Sequence, residues 1–268
     1  MKKILIAAGA LMTVIPGIAQ QTEGKVTYER TMVMQIRLND GHMSEQLQNS
    51  LPRSRKDNFD LVFGNNQSVW RIAEKEEDDA TSFGDNGGIQ IRMVGGGADD
   101  VVYTNFENRT RTEQREMFDK KFIINDSIRP MKLKMTSETK TILDHPCMKA
   151  TTTIIGKRST MSMDNGNMER KEVDDTSYIV AWFATDIPVT AGPAEYQGQL
   201  PGLILELDVN NGRQVFKAIN YSSKADFALI KAPTGKKHYT QEEFRKERDK
   251  MLEEMNKNGN GGGRVMRF

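Results

Sequence analysis

The side chains best suited to nucleophilic or metal chemistry are three histidines, His42, His145 and His238, and a single cysteine, Cys147. No two of the histidines stand at metal-ligand spacing. Neither Gly-x-Ser-x-Gly nor His-Glu-x-x-His occurs, so the activated nucleophile and positioned base that a catalytic triad needs are not encoded locally. His145 and Cys147 lie two residues apart, and in a strand such residues share a face, which leaves a thiol–imidazole contact open. The competing reading is a buried, inert thiol at the start of a core strand, the usual fate of a free cysteine. Methionine is frequent, with 16 in the chain. Met161, Met163 and Met168 fall in one polar stretch downstream of His145 and Cys147, and thioether and thiolate ligands favour Cu(I). These five residues form a low-ranking candidate metal set. Soft ligands alone do not make a site, and Met32, Met34, Met131, Met135, Met251 and Met255 read as core fillers. The acidic run Glu74 to Asp79 has no Asp-x-Asp-x-Asp-Gly loop for calcium, and Gly235-Lys236-Lys237 lacks the glycines of a phosphate loop. No catalytic residue and no cofactor are therefore assigned.

The elements that would carry these residues are short strands. Gly24 to Leu38 alternates apolar and polar positions, the period of a half-buried strand. Asn58 to Phe63 and Ser68 to Glu74 form a predicted hairpin around Gly64-Asn65-Asn66, residues that tolerate positive φ. Further strand signals span 100–105, 110–118, 121–125, 131–135, 138–142, 148–155, 178–183, 203–209 and 214–221. Residues 75–100, rich in acid and glycine, read as an exposed insertion, and 156–175 as a long polar hairpin loop. Consecutive strands without intervening helices argue for antiparallel pairing. One helix is signalled: Thr240 caps it, Glu243 completes a capping box, and Phe244, Met251, Leu252 and Met255 share a face. Gly259 ends it, before a Gly-rich tail.

Met1-Lys2-Lys3 followed by an apolar run to Ile18 reads as a secretory signal peptide, residues 1–19. The run is short for a membrane span, which needs about 20 residues, and no later stretch is long and apolar enough to cross as a helix. Low aromatic content, 7%, argues against an outer-membrane barrel with aromatic girdles. Cleavage removes two lysines and turns the net charge from +1 to −1. That balance, with no basic stripe, excludes nucleic acid as a partner. One cysteine excludes an intrachain disulfide, so stability must come from an ordinary core.

The densest backbone signals lie between Trp182 and Leu207. Pro188 and Pro193 fix φ and remove donors, so the chain must leave its strand. Gly192 and Gly198 supply unusual backbone angles. Pro201-Gly202 suits the centre of a type II turn, after which Leu203 to Leu207 re-enter the sheet. These residues, with Cys147-Met148-Lys149-Ala150-Thr151 upstream, with Trp182-Phe183-Ala184-Thr185-Asp186-Ile187-Pro188, with Gly192-Pro193-Ala194-Glu195-Tyr196 and with Leu200-Pro201-Gly202-Leu203-Ile204, resemble the GLPGLI family of exported Bacteroidota proteins. Gln199 stands where the family name has its first glycine. The resemblance implies export, a β-rich fold and no established biochemical activity. At the level of fold it is also similar to LolA-like half-barrels, which says nothing of function.

The expectation is a mainly β protein: a strongly curved antiparallel sheet, bowl or half-barrel, over residues 20–239, with a C-terminal helix and tail over 240–268. The favoured function is a non-enzymatic binding, carrier or accessory protein of the cell envelope, periplasmic or extracellular, taking an apolar ligand or an envelope protein partner on the concave sheet. A protein-interaction module of an outer-membrane transport or copper-handling system is the alternative, and a hydrolase ranks third.

Overall fold

The computed structural model describes residues 22–33, 53–73, 100–117, 120–164 and 167–259. The expected signal peptide, the insertion at 75–100, the glycine-rich tail, Met34 and His42 lie outside them. Twelve strands form one sheet: β1 (Gly24–Val33), β2 (Ser54–Gly64), β3 (Gln67–Ile72), β4 (Val101–Asn105), β5 (Thr110–Met117), β6 (Lys120–Ser127), β7 (Lys134–Ile142), β8 (His145–Asp164), β9 (Asn167–Ala184), β10 (Ile204–Val209), β11 (Gln214–Ser222) and β12 (His238–Tyr239). Their spatial order is β12-β6-β5-β4-β3-β2-β1-β11-β10-β9-β8-β7. The sheet is curved and unclosed, and among the described residues a single α-helix, α1 (Gln241–Gly259), follows it. Every neighbouring pair is antiparallel except β12 with β6.

Two meanders, β2–β6 and β7–β11, are joined by β1, which pairs with β2 on one edge and β11 on the other. Gly24, Val26 and Tyr28 alternate with half-buried neighbours along it, as the period-2 pattern predicts. The hairpin from β2 to β3 turns on Asn65 and Asn66 at φ 51° and 59°, the paired left-handed conformation that matches strand twist. Helix α1 begins with the expected capping box. The Thr240 N–H donates to Glu243 Oε2 at 2.8 Å and the Glu243 N–H to Thr240 Oγ1 at 3.2 Å, which holds the Glu243 carboxyl below its usual range.

Three expectations are corrected. Residues 131–135 do not make a strand of their own: β7 starts at Lys134 and is irregular between Met135 and Thr139. Pro130 has no N–H, and the Met131 N–H donates to Gln199 Oε1 at 2.8 Å instead of to a strand neighbour. Met135, read as a core filler, is exposed. Of the supposed polar loop 156–175, residues 156–164 and 167–175 are strand, because β8 and β9 pair without a break from Cys147↔Ala184 to Asp164↔Asn167. β7 pairs with β8 only as far as Thr151, and β10 with β9 only from Ile179. Beyond them the hairpin is a two-stranded ribbon with no third strand on either edge among the described residues, and its sequence has no apolar alternation to mark it.

The main core lies on the inner face of the sheet, among Tyr28, Leu61, Phe63, Phe216, Ile179 and Leu207, all nearly inaccessible. Residues 185–203 cross that face as a cover. Its backbone is tied down by Thr185 N–H to Pro146 O at 2.9 Å, Gly198 N–H to Thr190 O at 2.6 Å and Ile204 N–H to Ala191 O at 3.0 Å. The Tyr28 hydroxyl, whose pKa burial pushes up, donates to the Ile204 carbonyl at 2.6 Å. Gly198 sits at φ 73°, as expected of a glycine here. Gly202 differs from expectation, since its φ is not positive and Pro201-Gly202 is not a type II turn. Glycine is required there for space: a Cβ would overlap the Ala184 carbonyl oxygen. Gly202→Ala is therefore expected to cost about 3 kcal/mol or more, in the range of severe core changes, read as a lowered denaturant midpoint in chemical unfolding.

Candidate binding cleft

Strand register lines up inner-face residues in rows. One row runs Ser68–Thr104–Arg111–Asp126 across β3 to β6, and the next runs Trp70–Val102–Glu113–Ile124. On β4 to β6 the crossing segment no longer covers this face. The result is a cleft of about 560 Å³. Phe59, Trp70, Ile72 and Val102 form its apolar floor. Ala194, Glu195 and Gln197 of the crossing segment stand on one side, and Gln241 and Arg245 of α1 on the other. The crossing segment is held there by Gln197, whose Oε1 accepts from the buried Ser68 hydroxyl. Helix α1 is held by Phe244 and Met251, packed on Phe122 and Ile124.

Five guanidiniums line the cleft, Arg30, Arg111, Arg115, Arg129 and Arg245, with four carboxylates, Asp100, Glu113, Asp126 and Glu195. Glu113 is 3% exposed and sits inside an otherwise apolar row. Its oxygens are held by Arg111 Nε at 2.9 Å and by Arg115 Nε and Nη2, each at 2.8 Å. These are its neighbours two residues either side on the same face of β5. At the far end Arg30 lies over Phe59, 4.6 Å from the ring centroid, and donates to Asp57 at 2.7 Å. Phe59 stacks on Trp70 at 4.9 Å and 9°. Three buried polar atoms of lining residues, Thr104 Oγ1, Arg30 Nε and Arg111 Nε, have no hydrogen-bond partner, so Arg111 Nε meets Glu113 as an ion pair at 2.9 Å without hydrogen-bond geometry. Buried polar atoms are nearly always paired, so each of these is an exception in the packing of the cleft wall.

The residues singled out from sequence lie elsewhere. Cys147 is 1% exposed, and its Sγ–H donates to the His145 carbonyl at 3.5 Å, not to the imidazole. Burial first, then the nearby Asp186 carboxylate, pushes its thiol up to about 11. His145 Nδ1 instead meets Asp186 Oδ2 at 2.8 Å, with the ring edge-on to Tyr221. Met161 and Met163 are 14 and 16 residues farther along β8, which at about 3.3 Å per residue is more than ~40 Å away. The register sets Met163 opposite Met168 at the ribbon's far end, and the side chains of all three lie outside the described residues. The five candidate metal residues are thus not brought together. Among the described residues no three or more His, Cys, Asp or Glu side chains could share a metal ion.

The motif residues serve the frame. Gly192, Pro193, Leu200, Gly202, Leu203 and Ile204 are buried, Tyr196 is half-buried, and Pro188 and Pro201 are exposed. Trp182 faces outward from β9, with Lys140 Nζ 4.3 Å from its ring centroid. Of the crossing segment, Ala194, Glu195 and Gln197 reach the cleft. Sequence reading missed the cleft residues. A signal existed in Arg111-x-Glu113-x-Arg115, three charges at the period of one strand face. It was hidden because Thr112, Gln114 and Glu116 on the other face are polar too.

The fold and the cleft define a class: a mainly β protein whose single open sheet carries a polar-walled cavity. A family model described as a protein of unknown function (Porph_ging) matches residues 133–206, the stretch from the start of β7 into β10. No curated protein matches the chain. The matched stretch holds the crossing segment, and Arg30, Arg111, Glu113 and Arg115 fall outside it.

Two outcomes follow. Glu113→Leu leaves Arg111 and Arg115 facing each other without their shared carboxylate. It should cost roughly 2–3 kcal/mol in urea unfolding, below the usual loss for a fully buried pair because Arg115 is half exposed. Cys147 should react with Ellman's reagent at pH 8 far more slowly in the folded protein than in 6 M guanidinium, because the thiol remains protonated until pH nears 11. Equal rates would show an accessible thiolate.

Proposed function

We propose that this protein is an exported, non-enzymatic binding or accessory protein of the cell envelope, and that it seats its ligand in the inner-face cleft. The observation that carries the reading is the cleft itself, an open cavity of about 560 Å³ with an apolar floor and charged walls. That volume lies in the range of small-molecule sites. Glu113 and Asp126 of the lining are held in ion pairs with Arg111, Arg115 and Arg129. Nothing there has the arrangement of an activated nucleophile and its base.

The basic and apolar N-terminus supports export, as does the likeness to the GLPGLI family. No helix among the described residues is long and apolar enough to cross a membrane. A second reading, a protein-interaction module, is favoured by the β8–β9 ribbon. Both its edges lack a third strand among the described residues, and Ile154, Ile155, Val173 and Tyr178 are exposed along it. Open strand edges of this kind accept an added strand from a partner.

The test is native mass spectrometry of the protein isolated from its own host, beside a Val102→Trp variant whose indole fills the cleft. The expected result is a non-covalent mass on the natural protein that the variant lacks, with circular dichroism unchanged. A natural protein with no bound mass, or a variant that retains it, would overturn binding in the cleft.

A further inference from the structure

We infer that the ligand of the cleft is an amphiphilic anion. Its apolar body lies over Ile72 and Val102, and its carboxylate or phosphate head points toward Arg111, Arg129 and Arg245. The inference rests on the binding reading above and adds the ligand's chemistry.

The argument is which hydrogen-bonding capacity in the cleft is already used. The carboxylates are mostly engaged. Glu113 is held between Arg111 and Arg115 and faces Gln241 Nε2 at 3.5 Å. Asp126 accepts the Ser127 N–H at 2.8 Å and lies 3.7 and 3.8 Å from Arg111 and Arg129. Asp100 accepts the Glu116 N–H at 2.9 Å. The donors are less engaged. Among the described residues Arg245 reaches the Gln241 carbonyl at 3.3 Å. Arg129 is 72% exposed and reaches Asp126 only at 3.8 Å. What the cleft has left to offer at this end is donors, so it fits a molecule that brings acceptors and negative charge.

The arrangement also has a direction. Arg129 and Arg245 line both the cleft and an adjoining open depression between the end of β6 and the start of α1. Both are exposed and stand at the mouth, while the half-buried Ile72 and Val102 line the cleft alone. A charged head at the mouth keeps part of its hydration, and an apolar body inside is removed from water, which is the favourable orientation for an amphiphile.

The experiment uses the full-length exported protein carrying Trp182→Phe, so that Trp70 alone reports. Binding is read by fluorescence and calorimetry for octanoate, octyl phosphate, octan-1-ol, octylamine and acetate. The two amphiphilic anions should bind at least about tenfold tighter than octanol, the ratio expected for one charge-assisted hydrogen bond. Octylamine and acetate should bind more weakly still. The double substitution Arg129→Ala with Arg245→Ala should bring octanoate to the affinity of octanol and leave octanol unchanged, whereas Arg129→Lys with Arg245→Lys should keep most of the advantage. Both sites are exposed, and circular dichroism verifies folding. Octanol or octylamine binding as tightly as the anions, or a double Ala variant that keeps the preference, overturns the anion assignment and leaves cleft binding standing. If none of the five probes binds, the assignment falls, and the native mass spectrum then decides separately whether cleft binding falls with it.

Discussion

Where residues 185–203 return to the sheet, the backbone of Gly202 lies so close to the Ala184 carbonyl that no side chain fits between them. Much of the molecule depends on that contact. It lets the Ala184 N–H donate to the Leu203 carbonyl at 2.8 Å, so the crossing segment ends in register with β10. With Ile204 held there, its carbonyl accepts the hydroxyl of Tyr28 in the dry interior. Tyr28 belongs to β1, the strand that joins the two meanders. One close approach thus ties the C-terminal meander, the cover over the core and the N-terminal strand together. The cover in turn places Gln197 against Ser68, and that side of the cleft is a consequence.

The polar cleft begins where this cover stops. On β1 to β3 most of the inner face is apolar and sealed by the crossing segment, and Arg30, Phe59, Trp70 and Ile72 reach the cleft. On β6 the same face is apolar again and sealed by α1 through Phe244 and Met251. Between them, β4 and β5 have no cover. An apolar surface left there would meet water, and the chain instead places Thr104, Arg111, Glu113 and Arg115 at those positions. The ion pairs along β5 run between residues two apart on one strand face, so the strand itself presents them at the correct spacing.

Sheet, helix and cover were legible in the sequence for local reasons. Alternation marked β1, the Asn-Asn turn marked the β2–β3 hairpin, and Thr240 with Glu243 marked the helix start. What could not be read depended on distant partners. The ribbon formed by β8 and β9 beyond Thr151 lacks apolar alternation in sequence, so its backbone pairing was not marked locally. The start of β7 was misread because the partner of Met131 is Gln199, 68 residues away. Gly202 carried the right residue for a different reason, contact rather than angle. The cleft was hidden most completely. Its lining comes from β1 to β6, the crossing segment and α1, and only their assembly makes Arg30, Thr104, Glu113 and Arg245 neighbours of one cavity.

The Arg111–Glu113–Arg115 triad bears on why the cleft is built from charge. Taking ions out of water costs several kcal/mol each, and apolar side chains of similar volume usually stabilise as well or better. The row that holds Glu113 otherwise consists of Val26, Leu61, Trp70, Val102 and Ile124, so an apolar residue there would continue the pattern of its neighbours. Stability therefore does not account for a carboxylate at that position. What the triad does supply is rigid, directed polarity. Glu113 fixes both guanidiniums on the cleft floor in a set orientation, with side-chain freedom already lost before anything binds. A site whose donors are held in place in advance gains affinity by avoiding that ordering cost on association. On this argument Glu113 acts as a positioning residue for Arg111 and Arg115, and the charge balance of the floor reflects the need to hold two arginines steady under an uncovered part of the sheet.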